Sequence, residues 1–303
     1  MTKARRIDLI GHRGARGLFP ENTLSGFAAT LAIGVDGLEL DVAVTADDVA
    51  VVTHDARLNP DITRRDGVWL AAPGPAIRAL RAVDIAICDV GRMRPGSDYA
   101  AQFPDQVPDD GAGIPRLDEV MHLDGQVVFT IELKSFPRKP ELTVAGEAMA
   151  DAVMAVVDAV GVADRVVVQS FDWRGPRRLR HLRPDIRLAW LTRSAILPEA
   201  RVWWDGPHPS DFGGSVPRAV AAEGGPTWAP EYRDLTEAAL AEAHGLGLHV
   251  VPWTVNRPSD MRRLIGWGID GLITDRPDLA RRVMAEEGVE LPPSPGAQEI
   301  GRG

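Results

Sequence analysis

The chain has 303 residues, 45% hydrophobic and 25% charged, which is enough to bury a sizeable core. Its net charge of -9 excludes a surface built to coat nucleic acid, so an anionic ligand would need a local positive site. Cys88 is the single cysteine, which excludes an intrachain disulfide and a thiolate zinc site and fits a reducing, cytoplasmic setting.

The first six residues carry three basic side chains and no apolar signal core, so no export signal is expected. Strands are predicted at 7–11, 37–42, 127–132, 165–170, 187–191, 227–229, 248–253 and 271–274, each a short apolar run. Helices are predicted between most of them, at 23–33, 142–160, 174–182, 236–245 and 259–266. The most apolar stretch, 148–163, is broken by Asp151 and Asp158 and reads as an amphipathic helix, so no membrane span is expected. Eight strands alternating with helices predict an α/β fold, a (β/α)8 TIM barrel, with catalytic groups at the carboxyl ends of the strands.

One further strand, 49–53, follows 37–42 after a connection too short for a parallel crossover. It must return as an accessory β-hairpin strand, which brings His54 back to the level of Asp41. Residues 56–123 lose the alternating pattern in favour of Pro, Gly and polar stretches and read as an insertion near the barrel mouth, with a short helix at 77–87. The expected organisation is one barrel domain over 1–290 and a flexible Pro/Gly-rich tail over 291–303.

Glu39 and Asp41 stand two apart on a strand, so both carboxylates face one side, the inside of the barrel or its rim. Two buried unpaired carboxylates are costly, and a bound cation would compensate them. Glu132 and Lys134 repeat the spacing on another strand and add a third carboxylate and a cation for a phosphate oxygen. Oxygen-only ligation favours Mg²⁺ or Ca²⁺. His12 and His54 each follow an apolar strand and can divide acid and base duty near neutral pH. Arg13 offers a planar fork for phosphate oxygens, with a rim ion pair to Glu21 or Asp55 as the alternative reading. His122, His181, His208, His244 and His249 are assigned to surface or packing roles, and the loop 211–214 has no assignment.

An ordered set of short motifs closely resembles the glycerophosphodiester phosphodiesterase family. It runs Gly11-His12-Arg13-Gly14, Pro20-Glu21-Asn22-Thr23, Glu39-Leu40-Asp41-Val42, Thr45-Ala46-Asp47 and His54-Asp55. Glu132-Leu133-Lys134, Gln169-Ser170-Phe171-Asp172, Trp253-Thr254-Val255-Asn256 and Thr274-Asp275-Arg276-Pro277 continue it. The resemblance implies a divalent-metal phosphodiesterase with Glu39, Asp41 and Glu132 as metal ligands and His12 and His54 as the acid/base pair. It further implies Arg13 and Lys134 as phosphate ligands, Trp253 as an apolar wall of the glycerol pocket, and Glu21 and Asn22 as braces of the first loop. Asp48 stands where the family usually has Gly in the hairpin turn, a place where Asp tolerates the left-handed backbone.

The activity so implied is hydrolysis of a small glycerophosphodiester to glycerol 3-phosphate and an alcohol, through a cyclic phosphate. Two alternatives are a lysophospholipase D type activity on single-chain lipids, and a non-catalytic phosphodiester binder; Trp203 and Trp204 could join an apolar wall for the former, but packing beneath a loop is the favoured reading of that pair. Substrate choice is expected to lie with the insertion.

Overall fold

The computed structural model describes residues 5–123 and 126–294, so most of the expected tail lies outside the described residues. The barrel wall consists of strands Asp8–Gly11, Gly37–Val44, Val128–Leu133, Val166–Ser170, Arg187–Thr192, Thr227–Pro230, His249–Val250 and Gly271–Thr274. They are called first to eighth below. Neighbours in the wall are neighbours in the chain, all parallel, and the eighth pairs back onto the first with Thr274 opposite Gly11.

The seam between the seventh and eighth strands is loose. It rests on the Asp270 N–H to the Val250 carbonyl at 3.1 Å, the Ile273 N–H to the Pro252 carbonyl at 3.0 Å and the Val255 N–H to the Ile273 carbonyl at 2.9 Å. The seventh strand is a regular ladder only over His249–Val250, shorter than the predicted 248–253, because Pro252 has no N–H to donate. The N–H groups of Val251 and Trp253 still reach the carbonyls of Trp228 and Pro230, which carries the wall on to Trp253.

Alternation along each strand separates core from site. On the second strand Leu38, Leu40, Val42 and Val44 join the main apolar core between wall and helices, which leaves Glu39 and Asp41 to the barrel interior. On the third, Phe129, Ile131 and Leu133 pack outward, leaving Thr130 and Glu132 inside. The register sets Asp41 opposite Glu132, and Glu132 opposite Gln169 on the fourth strand.

Helix Leu24–Ile33 begins behind Thr23, whose hydroxyl accepts the Gly26 N–H at 3.1 Å. The helix predicted over 142–160 begins later, at Gly146, because Thr143 is used in a turn. Its hydroxyl accepts the Phe136 N–H at 3.0 Å and its carbonyl accepts Arg78 at 2.9 Å. Two helices of the outer ring, Val216–Glu223 and Pro277–Glu286, were absent from the sequence expectation. Both carry Pro in the first turn, and the former has a Ser215 cap and a left-handed Gly224 at its end.

The hairpin forms as expected. Ala50–Val52 runs antiparallel to the second strand with Val52 opposite Val42. Asp48 takes the left-handed turn position at φ 59°, and the Thr53 N–H bonds the Asp41 carbonyl at 2.9 Å. Within the insertion, Arg64–Arg65, Val68–Trp69 and Cys88–Asp89 form a small antiparallel sheet. The helix predicted over 77–87 is broken into Ile77–Ala79 and Ala82–Ile85 by extended Leu80. Leu58, Ile77, Ile85 and Cys88 pack against Ala43 and Val51, which fastens the insertion to the face of the hairpin that Glu39 and Asp41 share.

Candidate active site

A cavity of about 520 Å³ is lined by His12, Arg13, Glu39, His54, Glu132, Lys134 and Trp253, every sequence-predicted site residue except Asp41. Asp41 is buried immediately behind them, held by the Asn22 side-chain N–H₂ at 3.0 Å. No described residue of the insertion lines this cavity. The walls come instead from the loops after the barrel strands: Phe136, Phe171, Arg193, Ile196, Trp203 and Thr254. A larger cavity of about 1180 Å³ opens near Asp8, Arg187 and His249 and includes none of the predicted site residues.

The loop after the first strand is held on three sides. The Arg13 backbone, left-handed at φ 51°, points its N–H at Glu39 Oε2 at 3.0 Å. Its guanidinium reaches Glu21 Oε1 at 3.0 Å and Asp41 Oδ2 at 3.2 Å. Of the two rim pairs considered from sequence, Glu21 forms, and it is buried. His12 Nδ1 lies 2.6 Å from Asp275 Oδ1, which leaves Nε2 towards Glu39, 3.8 Å from Oε2. His54 is arranged in the same way: its Nδ1 lies 2.7 Å from Asp55 Oδ1, and Asp55 is fixed by Asn59 at 2.7 Å. Each imidazole therefore has a carboxylate behind it, an arrangement that sets the tautomer and leaves Nε2 for chemistry.

Lys134 Nζ lies 2.8 Å from Glu132 and 3.6 Å from Asp41. One oxygen each of Glu39, Asp41 and Glu132 lies within 4.8 Å of the others. Two oxygens bound to one cation at about 2.0–2.6 Å each stand at most about 5 Å apart, so the spacing suits a hard divalent ion. Asp41 Oδ1 is buried with no hydrogen-bond donor, a group that a cation would satisfy.

Charges divide accordingly. Burial and the neighbouring Asp41 and Glu132 push the Glu39 carboxyl well above its ordinary range. Burial acts on Asp41 too, but Arg13, His54 and Lys134 overcome it and hold that carboxyl low. Burial also lowers His12 against the pull of Asp275, and burial with Arg13 and Lys134 lowers His54 to about 4. Both rings are thus neutral in the free protein near pH 7, while Lys134 is kept charged by Glu132 and Asp41 despite its burial.

Trp253 donates its indole N–H to the Ala229 carbonyl at 2.8 Å and meets Phe171 edge to face at 5.4 Å, forming one apolar wall. Of the tryptophan pair, Trp203 lines the cavity, whereas Trp204 is buried and stacked on Trp173 at 4.1 Å.

A family model for glycerophosphoryl diester phosphodiesterases matches residues 12–279, spanning every residue of this site. The chain belongs to the glycerophosphoryl diester phosphodiesterase family. Its enzyme class is accordingly that of the phosphoric diester hydrolases. The uncharacterized protein YqiK of Bacillus subtilis (strain 168) is 30% identical over 285 residues, 92% of this chain and 99% of that one. A glycerophosphodiester phosphodiesterase of the same strain is 27% identical over 286 residues, 92% and 86% of the two chains. A solved structure from Silicibacter pomeroyi DSS-3, provisionally assigned as a glycerophosphoryl diester phosphodiesterase, superposes with a TM-score of 0.85 at 38% identity. That superposition covers 95% of this chain and 96% of the other.

The structure adds residues to which sequence reading gave no role. Asp275 directly follows the eighth strand, a place where barrel enzymes put functional carboxylates. Arg16 grips Asp275 through two bonds at 3.0 and 3.1 Å, and Asn256 adds a third at 2.7 Å. Gln169 donates to Glu39 at 3.4 Å. No sequence spacing marks these partners, because Arg16 and Asn256 each meet Asp275 only once the wall closes.

Proposed function

We propose that this family member hydrolyses small glycerophosphodiesters to glycerol 3-phosphate and an alcohol, with His12 and His54 as the acid/base pair. The observation that carries this reading is the pair of carboxylate-backed imidazoles facing one cavity, with three clustered carboxylates, Arg13 and Lys134 between them. One imidazole takes the proton of the glycerol 2-hydroxyl, whose oxygen forms a bond to phosphorus. The bond from phosphorus to the leaving alcohol breaks, and the other ring, protonated, supplies that oxygen's proton. Water then opens the cyclic phosphate with the two rings in exchanged roles.

Arg13 and Lys134 bind non-bridging phosphate oxygens, where charge builds up. The arriving phosphate charge also favours protonation of one imidazole, which its burial alone disfavours. Glu39, Asp41 and Glu132 would hold Mg²⁺ or Ca²⁺, which supplies polarisation of a phosphate oxygen and charge compensation for the carboxylates. Trp253 and Phe171 exclude water along the glycerol side. Residues 1–290 are read as one catalytic unit, and the lone Cys88 fits work in a reducing, cytoplasmic compartment.

The test is release of glycerol 3-phosphate from glycerophosphocholine, dependent on added Mg²⁺ or Ca²⁺ and abolished by chelator. His12→Ala and His54→Ala are each expected to lower kcat at least about 100-fold. Near-normal turnover in either variant removes that ring from the mechanism.

A second reading draws on the apolar wall Phe136, Ile196 and Trp203, which suits a single acyl chain. A rat lysophospholipase D, GDPD1, is 23% identical over 284 residues. Faster turnover of lysophosphatidylcholine than of glycerophosphocholine would select this reading.

A further inference from the structure

Residues 97–107 of the insertion lie against the loop that carries His12 and Arg13. The Gln106 side chain donates to the Arg16 carbonyl at 2.8 Å, the Val107 N–H bonds the Leu18 carbonyl at 2.8 Å, and Arg276 pairs with Asp105 at 2.7 Å. At the centre of this contact is Tyr99, in the short helix Asp98–Gln102. Its hydroxyl donates to Glu21 Oε2 and accepts from Arg16 Nη1 at 3.3 Å. The two partners lead to different halves of the site. Glu21 holds the Arg13 guanidinium through its other oxygen at 3.0 Å, and Arg16 grips Asp275, which lies 2.6 Å from His12.

From this geometry we infer that Tyr99 is a positioning residue: its hydroxyl sets the phosphate fork of Arg13 and the His12–Asp275 pair in one common geometry. The inference rests on the roles proposed above for Arg13 and His12. Three features make the hydroxyl the effective group. It is the atom shared by two chains of side-chain hydrogen bonds, one through Glu21 to Arg13 and one through Arg16 and Asp275 to His12. Burial, with Glu21 beside it, raises the phenol's pKa, so it remains a donor. The ring is independently seated against Phe103, edge to face at 5.4 Å, so removing only the oxygen leaves the packing in place. The insertion is thereby a structural part of the catalytic apparatus without touching the substrate cavity.

The discriminating variant is Tyr99→Phe, which keeps the ring and deletes the oxygen. With glycerophosphocholine and saturating Mg²⁺, kcat is expected to fall about 10-fold, in the range of partners that orient reacting groups. KM should change by less than about twofold and the melting temperature by little. Tyr99→Phe combined with Glu21→Gln should lose less than the product of the single losses, because both act through the same contact. Asp105→Asn, which weakens the exposed ion pair with Arg276 and leaves the Tyr99 bonds to Glu21 and Arg16 in place, should retain wild-type kcat.

If wild-type enzyme hydrolyses glycerophosphocholine and Tyr99→Phe matches its kcat, the positioning role is overturned while the proposed function stands. A lowered melting temperature with unchanged turnover per folded molecule overturns it equally, by showing a structural role alone. A wild-type protein inert towards glycerophosphodiesters would instead overturn the function on which the inference rests.

Discussion

Asp275 shows how much one carboxylate can organise. It is buried, accepts bonds from His12, Arg16 and Asn256, and is held well below the ordinary carboxyl range: burial opposes this, and His12 and Arg16 overcome it. A carboxyl whose folded pKa is depressed stabilises the fold above its unfolded value, about 3.9, and that contribution is lost as pH falls towards the folded value. Asp275→Asn is therefore expected to cost about 3 kcal/mol at pH 7 and pH 5, as for breaking a buried pair. The difference should narrow at pH 3, and denaturant titrations at the three pH values measure it. A difference that is constant with pH would show that the carboxylate's charge does not contribute. The acidic triad makes a complementary prediction. Glu39, pushed upward by burial and the neighbouring Asp41 and Glu132, would hold a cation only as the carboxylate, so metal binding should tighten with rising pH. Glu39→Gln should raise the Mg²⁺ dissociation constant at least about tenfold, read by calorimetry.

At the scale of elements, much of the site was legible because strand periodicity is strict. A two-residue spacing put Glu39 and Asp41 on one face, and the short 45–48 connection required a hairpin that returns His54. Glu132 and Lys134 followed by the same spacing. What remained hidden was of two kinds. Partners such as Arg16 and Asp275, 259 residues apart, are joined by barrel closure and not by any local pattern. Tyr99 sits in a stretch whose sequence looks irregular, and its value comes from where the insertion docks. The seventh strand failed as a regular ladder for a local reason that was readable, the missing N–H of Pro252. The hairpin turn itself is testable: Asp48 is exposed at φ 59°, and its side chain makes no hydrogen bond or ion pair among the described residues. Asp48→Val should destabilise by about 1–2 kcal/mol, the cost of a left-handed L-residue. Asp48→Gly should leave stability within about 1 kcal/mol of wild type. Thermal unfolding of the pair reads the difference, and equal melting temperatures would contradict the turn.

For the whole molecule, the carboxylate cluster belongs to the wall and is not an attachment to it. Asp41 and Glu132 are opposite one another in the ladder of the second and third strands, so these carboxylates come together only when those strands are in register. Unfolded chain lacks that juxtaposition, and metal at about 100 times its dissociation constant should add about 2.7 kcal/mol to stability. A melting temperature indifferent to Mg²⁺ and Ca²⁺ would count against the cluster as a resident metal site. The same logic extends to the link between His12 and Asp275, which spans 263 residues. A chain emerging from the ribosome presents His12, His54 and all three clustered carboxylates well before residue 275 has been joined. Until the eighth strand arrives, His12 has no carboxylate behind it and the wall has no closing seam. If His12 acts as proposed, a chain terminated before residue 275 carries the recognisable motifs but lacks the carboxylate that backs this ring.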